Sequence, residues 1–380
     1  QPFVNVVTQL AAADGTELNA STPSAKVNLS PDGVDETIRC AVALPTVSEE
    51  GPHISIRKQS ADALTPTDLV RGDSISTELV ALLWLVYEHH GVVLFSGPTG
   101  VGKTTLMNAH MPFIPFHDRP ISIDEGSREV RLPHETGVSL TTRDHENDHK
   151  RVSMGDLMAQ CNYLNPDVEI IAEVNTAESF ETFAETLNTG HGLIGTTNAA
   201  DLHTLLNRVV EQGLPPYLLR ELDLVVFPRY VDGERYVGEV IEFVDEATFR
   251  DIADEERCGV VRKDGTAVYW NTVAWREPDG SFAFARDRDR PLGTFERVAT
   301  ITDRPVESVE DEFRAKHRYV QHFVEKGIDD FDGLFDLLAD LETDEAATVE
   351  RLTRQADESR PGEQGERSAA PDVRRRTVDD

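Results

Sequence analysis

Two spacings of apolar residues alternate along this chain, and the switches between them mark its elements. Leu79 to Tyr87 (LVALLWLVY) is continuously apolar and predicts a buried helix opened by Ser76. Val92 to Phe95 is a short apolar run that reads as a buried strand. Lys103 to His110 reads as the next helix, stopped by Pro112, which has no N–H to donate and does not fit a helix interior. Ile121 to Ile123 is a strand. Ser153, with Asp156 three residues on, opens a helix in capping-box style that runs to about Leu164. Val168 to Glu173 is a strand. Thr176 to Thr189 is a helix with Phe180, Phe183, Ala184 and Leu187 on one face, stopped by Gly190. Leu193 to Thr196 is a strand, Asp201 to Gln212 a helix and Leu224 to Pro228 a strand, which Asp232-Gly233 turns back into Arg235 to Val244. This alternation implies an α/β fold with a mostly parallel sheet covered by helices on both faces.

The flanks differ in texture. Residues 1–72 hold strand-like runs at Val27–Leu29, Ile38–Leu44 and His53–Lys58 with a turn at Pro31-Asp32-Gly33, and are expected to form a smaller α+β N-terminal domain. The chain opens on Gln1, so that domain is expected to be incomplete at its start. Residues 73–255 form the α/β domain. Residues 256–342 are expected to be a strand-plus-helix subdomain, with turns at Asp264-Gly265 and Asp279-Gly280, aromatic strands, and helices at about 306–326 and 330–341. Residues 343–380 are charged and nearly free of aromatics, which predicts a disordered tail.

Charge narrows the partners. The 380 residues carry a formal net charge of −32, with acids spread along the whole chain. That distribution fits a solvated acidic exterior of the kind halophiles use, and it disfavours binding to a phosphate backbone, so no nucleic-acid partner is expected. Cys40, Cys161 and Cys258 lie far apart without metal-ligand spacing and imply a reducing compartment. No apolar run approaches the roughly 18 residues that would span a bilayer.

The chemistry concentrates in Gly97-Pro98-Thr99-Gly100-Val101-Gly102-Lys103-Thr104-Thr105, which satisfies G-x-x-x-x-G-K-[ST] between a strand and a helix. Glycines let successive backbone N–H groups face one anion. Lys103 is expected to reach the β- and γ-phosphates, and Thr104 to ligate Mg²⁺. Such a site also needs a carboxylate to orient water or hold metal, at the tip of a strand beside the phosphate-loop strand. Two strands end in acids, at Asp124-Glu125 and at Glu173. His191, before the strand Leu193–Thr196, is a further candidate beside the γ-phosphate.

Four segments in order then resemble the secretion ATPases of type II and type IV systems and of archaeal pili and flagella, the archaeal branch above all. GPTGVGKTT (97–105) resembles their phosphate loop. SIDEGSREVRLPH (122–134) resembles the acidic box I-E-D-T-x-E-x-x-L-P-H. NPDVEIIAEV (165–174) resembles R-P-D-x-I-I-V-G-E-V-R, and TGHGLIGTTNA (189–199) resembles T-G-H-x-x-x-x-T-x-H-A. The resemblance implies a RecA-like P-loop NTPase core with a smaller α+β N-terminal domain and a C-terminal β/helical extension. It further implies an ATP- and Mg-dependent cytoplasmic enzyme, assembled as a homo-hexamer and serving a multi-span membrane platform protein. Glu173 would activate water, Glu125 would assist metal or water, His191 would sense the γ-phosphate, and Arg57 and Arg143 would approach the nucleotide.

The polar pattern departs from that family at several places. Gly126 stands where the acidic box has aspartate, Tyr163 and Asn165 where two arginines precede the glutamate strand, Asn175 where an arginine follows it, and Asn198 where the second histidine falls. Arginines near a γ-phosphate raise turnover by roughly 10³–10⁵ where they act as fingers. Two readings therefore stand: a slow ATPase, with Arg39, Arg57 or Arg143 supplying charge, and a nucleotide-binding ring subunit that hydrolyses little. Glu169 places an acid in a strand that should be buried, and the sequence gives no reason for it.

Overall fold

The structure, a computed structural model, describes residues 2–13, 15–29, 38–58, 63–125, 128–143, 148–252, 257–263, 265–285 and 291–358. The expected turn at Pro31-Asp32-Gly33, Gly126, Asp264 and the tail from residue 359 lie outside them.

The chain begins with α1 (Pro2–Ala13), β1 (Ser24–Leu29), β2 (Ile38–Ala43) and β3 (His53–Lys58). The three strands form an antiparallel sheet in that order, and α1 lays Val7 and Ala11 onto Val27, Cys40 and Val42. Helices α2 (Pro66–Arg71) and α3 (Thr77–Glu88) follow. Thr65 and Asp68 close α2 with a reciprocal capping box, and the Ser76 hydroxyl caps α3. Every residue of α3 from Leu79 to Tyr87 is buried, which explains its unbroken apolar run.

Next come β4 (Val92–Ser96), α4 (Lys103–Ala109), β5 (Pro120–Asp124), β6 (Val138–Thr141), α5 (Met154–Leu164), β7 (Val168–Ile171), α6 (Ala177–Leu187), β8 (Gly192–Thr197), α7 (Leu202–Glu211), β9 (Leu224–Val231) and β10 (Glu234–Val244). Strands β9, β4, β8, β7, β5 and β6 lie side by side, and all the pairings among them are parallel. This is the mostly parallel core that the strand–helix alternation implied. The phosphate-loop strand β4 sits between β8 and β9, and the glutamate strand β7 is one place further out. The expectation of an acid on a strand directly beside β4 is thereby corrected: β8 intervenes, and Glu173 reaches the loop across its end.

After α8 (Glu246–Asp251), strands β11 (Cys258–Lys263), β12 (Thr266–Arg276) and β13 (Phe282–Phe284) continue the same ten-stranded sheet, because β12 pairs antiparallel with β10. Helices α9 (Gly293–Thr302), α10 (Val306–Lys326) and α11 (Phe331–Thr343) complete the first unit, which ends at Leu338. Helix α10 packs on α3, where Trp84 stacks on Phe113 and Phe323 and the Lys316 ammonium lies 4.5 Å above its ring. Glu312 gathers His89, Arg304 and Lys316 around it, and these hold its carboxyl down at about 2 against the opposing effect of burial.

The second unit, from Ala339, contains the end of α11 and α12 (Glu345–Glu358). A disordered tail was expected from residue 343. Instead 345–358 is helical, with Arg354 and Glu350 paired at i,i+4 and Arg351 bound to Asp340. Among the described residues no helix is long and apolar enough to cross a membrane.

Candidate active site

The phosphate loop leaves β4 at Ser96, whose hydroxyl donates to the Ala199 carbonyl, and Gly97 N–H donates to Thr197 O of β8. Two glycines carry the turn: Gly100 at φ 86° and Gly102 at φ 93°, a region that side chains disfavour. At Gly97 space is the constraint, since a Cβ there would meet Val101 at 3.0 Å and the Pro228 carbonyl at 3.2 Å. The β9–β10 hairpin holds the loop from outside. Arg235 Nε donates to Gly100 O at 2.9 Å while its guanidinium lies 4.2 Å above the Tyr230 ring.

Lys103, the first residue of α4, is 8% exposed. Its Nζ donates to Gly97 O at 2.8 Å, Pro98 O at 3.0 Å and Asn198 Oδ1 at 2.7 Å. Burial lowers its pKa. Glu173 opposes that effect, Arg208 adds to it and Glu129 opposes it. The loop opens into a cavity of about 600 Å³, lined by Thr99 to Leu106 together with Glu129, Glu173, Asn198 and Arg235.

Glu173 follows the end of β7 and is half-buried. Its position is fixed by β8: Thr196 Oγ1 donates to Ala172 O, Thr197 Oγ1 donates to Val174 O, and Val174 N–H donates to Thr196 O. Glu173 Oε1 accepts from Asn175 Nδ2 at 2.5 Å and from Asn198 Nδ2 at 3.3 Å. Two of the three asparagines at which the chain departs from its family pattern, Asn175 and Asn198, thus clasp the candidate catalytic carboxylate. Behind them Arg208 of α7 donates from Nη1 to Asn175 Oδ1 and Asn198 O.

The other candidates are distributed differently. Glu125 is exposed and lies, with Arg143, on a second cavity of about 760 Å³ against the N-terminal residues Gly15, Thr16, Glu17, Thr22 and Lys26. The carboxylate that this segment delivers to the phosphate loop is Glu129. Buried Asp124 accepts the Glu129 N–H on Oδ1, and Asn108 of α4 binds Glu129 O and Arg131 N–H. The chain therefore folds back over α4, and the second glutamate of the box takes the place expected for Glu125. That glutamate stands three residues before Leu132 in the box pattern, so the spacing contained the signal. Arg57 lies in β3 and Arg39 in β2, with side chains outside the described ones.

His191 does not join the site. It precedes β8, whose last residues flank the loop, so the six-residue strand of ~3.3 Å rise per residue separates the two. Its Nδ1 meets Glu169 Oε1 at 3.1 Å, and Thr186 Oγ1 donates to Glu169 Oε2 at 3.2 Å. This accounts for the acid in a buried strand: partners from α6 and the turn before β8 satisfy it. Burial, and the neighbouring Glu169 after it, push the Cys161 thiol well up.

A glycine loop on β4, a buried lysine at the start of α4 and the carboxylates of Glu173, after β7, and Glu129, after β5, on one cavity are the features of a P-loop nucleotide-binding protein. The chain matches the family described as Type II/IV secretion system protein over residues 23–266, more than half its length. It belongs to that family. MJ0900 of Methanocaldococcus jannaschii is 28% identical over 244 residues, covering 60% of this chain and 44% of that protein. Type II secretion system protein E of Pseudomonas aeruginosa is 28% identical over 182 residues, 48% of this chain and 34% of that one. The chain thus spans less than half the length of either relative. Among solved structures, the VirB11 ATPase from the Brucella suis type IV secretion system, in complex with sulphate, is 23% identical at a TM-score of 0.37, over 63% of this chain and 82% of that one.

Proposed function

We propose that this chain is an Mg-dependent ATPase that powers a pilus-assembly or type II/IV-like secretion apparatus. The observation that carries the reading is the juxtaposition of Lys103 and Glu173, joined through Asn198, at one end of the phosphate-loop cavity. In this reading the loop N–H groups and Lys103 bind the β- and γ-phosphates. Lys103 already holds a set of oxygen acceptors, which phosphate oxygens replace. Thr104 and the carboxylates of Glu129 and Glu173 supply the hard oxygen ligands that Mg²⁺ takes, so the residues present fit the ion. When bound, Mg²⁺ neutralises charge developing on the phosphates. Glu173 orients the attacking water and accepts its proton.

The working assembly is a homo-hexamer at the cytoplasmic face of the membrane, bound to a multi-span platform protein, in which nucleotide binding and release drive domain motion. Those parts rest on the family relationship. Lys103→Ala should abolish nucleotide binding, and Glu173→Gln should keep it while stopping turnover; hydrolysis by Glu173→Gln at the parent rate would refute the assignment.

A second reading, a ring subunit that binds nucleotide and hydrolyses little, is favoured by one observation. Two neutral amides, Asn175 and Asn198, contact Glu173 where the family pattern has arginine and histidine.

A further inference from the structure

We propose that Arg208 is a positioning residue of the phosphate site: through Asn175 and Asn198 it sets the Glu173 carboxylate and supplies a cation at the γ-phosphate end. The inference rests on the reading of Lys103 and Glu173 as the phosphate-binding and water-orienting pair.

Hydrogen-bond chemistry fixes the direction of every link. A guanidinium only donates, so the Asn175 oxygen must face Arg208 Nη1, 3.0 Å away; the Asn198 N–H, at 2.9 Å, makes the same demand on that oxygen. The Asn175 amide nitrogen is thereby turned to Glu173. An ammonium likewise only donates, so the Asn198 oxygen faces Lys103 and its nitrogen faces Glu173. Two cations, Arg208 and Lys103, thus polarise two amides that converge on one carboxylate oxygen.

Arg208 is also placed against the usual pattern. Helix α7 buries Leu205, Leu206 and Val209, and Arg208 lies beside that stripe, half-buried. Among the described residues no carboxylate oxygen comes within 4 Å of its guanidinium, whose partners are an amide oxygen and a carbonyl. Its charge is felt at Lys103, whose pKa it helps to lower. Among the described residues neither Lys103 nor Arg208 has a carboxylate oxygen within 4 Å, although Glu173 and Glu129 act on Lys103 from further away. Cations without a direct ion pair favour a multiply charged anion, and a triphosphate presents more charge here than a diphosphate.

The test uses the full chain with Arg208→Met, Arg208→Lys and Asn175→Ala, the last cutting the relay while keeping the guanidinium and its bond to Asn198 O. Affinities for Mg-ADP and Mg-ATPγS are measured by displacement of a fluorescent nucleotide, and phosphate release in high KCl is followed in parallel. Arg208→Met should bind ADP within about threefold of the parent, lose about tenfold of the ATPγS-over-ADP preference, and lower kcat at least tenfold with KM little changed. Arg208→Lys should recover most of the preference, and Asn175→Ala should lower kcat as Arg208→Met does. Parental preference and kcat in Arg208→Met would overturn the proposal. So would equal loss of ADP and ATPγS binding in Arg208→Met with no recovery in the lysine variant, the signature of a purely structural arginine. If Arg208→Met fails to fold, parental kcat and preference in Asn175→Ala overturn it. If the parent protein releases no phosphate, the hydrolysis reading fails, while the affinity ratio still reads Arg208.

Discussion

Lys103 and Asn198 share a 2.7 Å hydrogen bond from Nζ to Oδ1, so the cation proposed to bind phosphate is already engaged by the strand end that also holds Glu173. Nucleotide must displace this contact together with those to Gly97 O and Pro98 O. Removing one competitor should therefore help an anion compete. Asn198→Ala is expected to tighten ADP binding about tenfold, by roughly 1.5 kcal/mol, the lower end for one hydrogen bond to a charged group. Calorimetry with Mg-ADP checks the direction; weaker binding would show that Asn198 contributes to the bound state.

Glu129, not Glu125, lines the phosphate-loop cavity. Glu129→Gln should weaken the Mg²⁺ dependence of nucleotide binding about tenfold, while Glu125→Gln leaves it within twofold. A Mg²⁺ titration at fixed nucleotide separates the two carboxylates. An equal response of both would contradict the placement.

His191 pairs with fully buried Glu169 at the opposite end of β8. His191→Ala leaves that carboxylate with Thr186 and one partner fewer. The expected cost is about 1–3 kcal/mol of stability, the range for an under-satisfied buried acceptor, with nucleotide affinity within twofold. Thermal unfolding and ADP binding, measured side by side, test it. Lost affinity at intact stability would return His191 to the site.

His110, which caps the phosphate-loop helix α4, is fully buried against Tyr87 and Phe113, and its Nδ1–H donates to Leu106 O. Burial lowers its pKa from 6.5 to about 4, the bond to Leu106 opposing weakly. The unfolded chain takes up a proton below about pH 6.5 and the folded protein does not. Stability should fall as pH drops from 6.5 to about 4, by about 3 kcal/mol from this residue at ~1.36 kcal/mol per pKa unit. In His110→Phe that part of the loss should vanish from melting curves taken across the interval; an unchanged pH dependence would contradict it.

The sequence revealed what local chemistry dictates. Ser76, Ser153 and Thr176 cap helices where their hydroxyls stand before apolar periodic runs, and Gly100 and Gly102 of the phosphate loop sit where φ is positive. It was silent where the answer depends on residues far apart in the chain. The insertion of β8 between β4 and β7 is a matter of strand order, which periodicity does not encode. The choice of Glu129 over Glu125 turns on Asp124 and Asn108 folding the segment back over α4. Arg208 carried a faint signal, a charge beside an apolar stripe, but its meaning appears only when α7 brings it to Asn175. Glu169 looked anomalous because His191 and Thr186, its partners, arrive from later elements.

On the proposed function, Lys103 and Glu173 form a working hydrolytic pair despite the neutral amides around Glu173. Steady-state phosphate release from the purified chain with Mg-ATP in high KCl tests it most directly. Turnover above about 0.01 per second is expected, the level of a P-loop enzyme with modest charge stabilisation, lost in both Lys103→Ala and Glu173→Gln. Tight nucleotide binding without release above that rate, or release that survives either substitution, would contradict it.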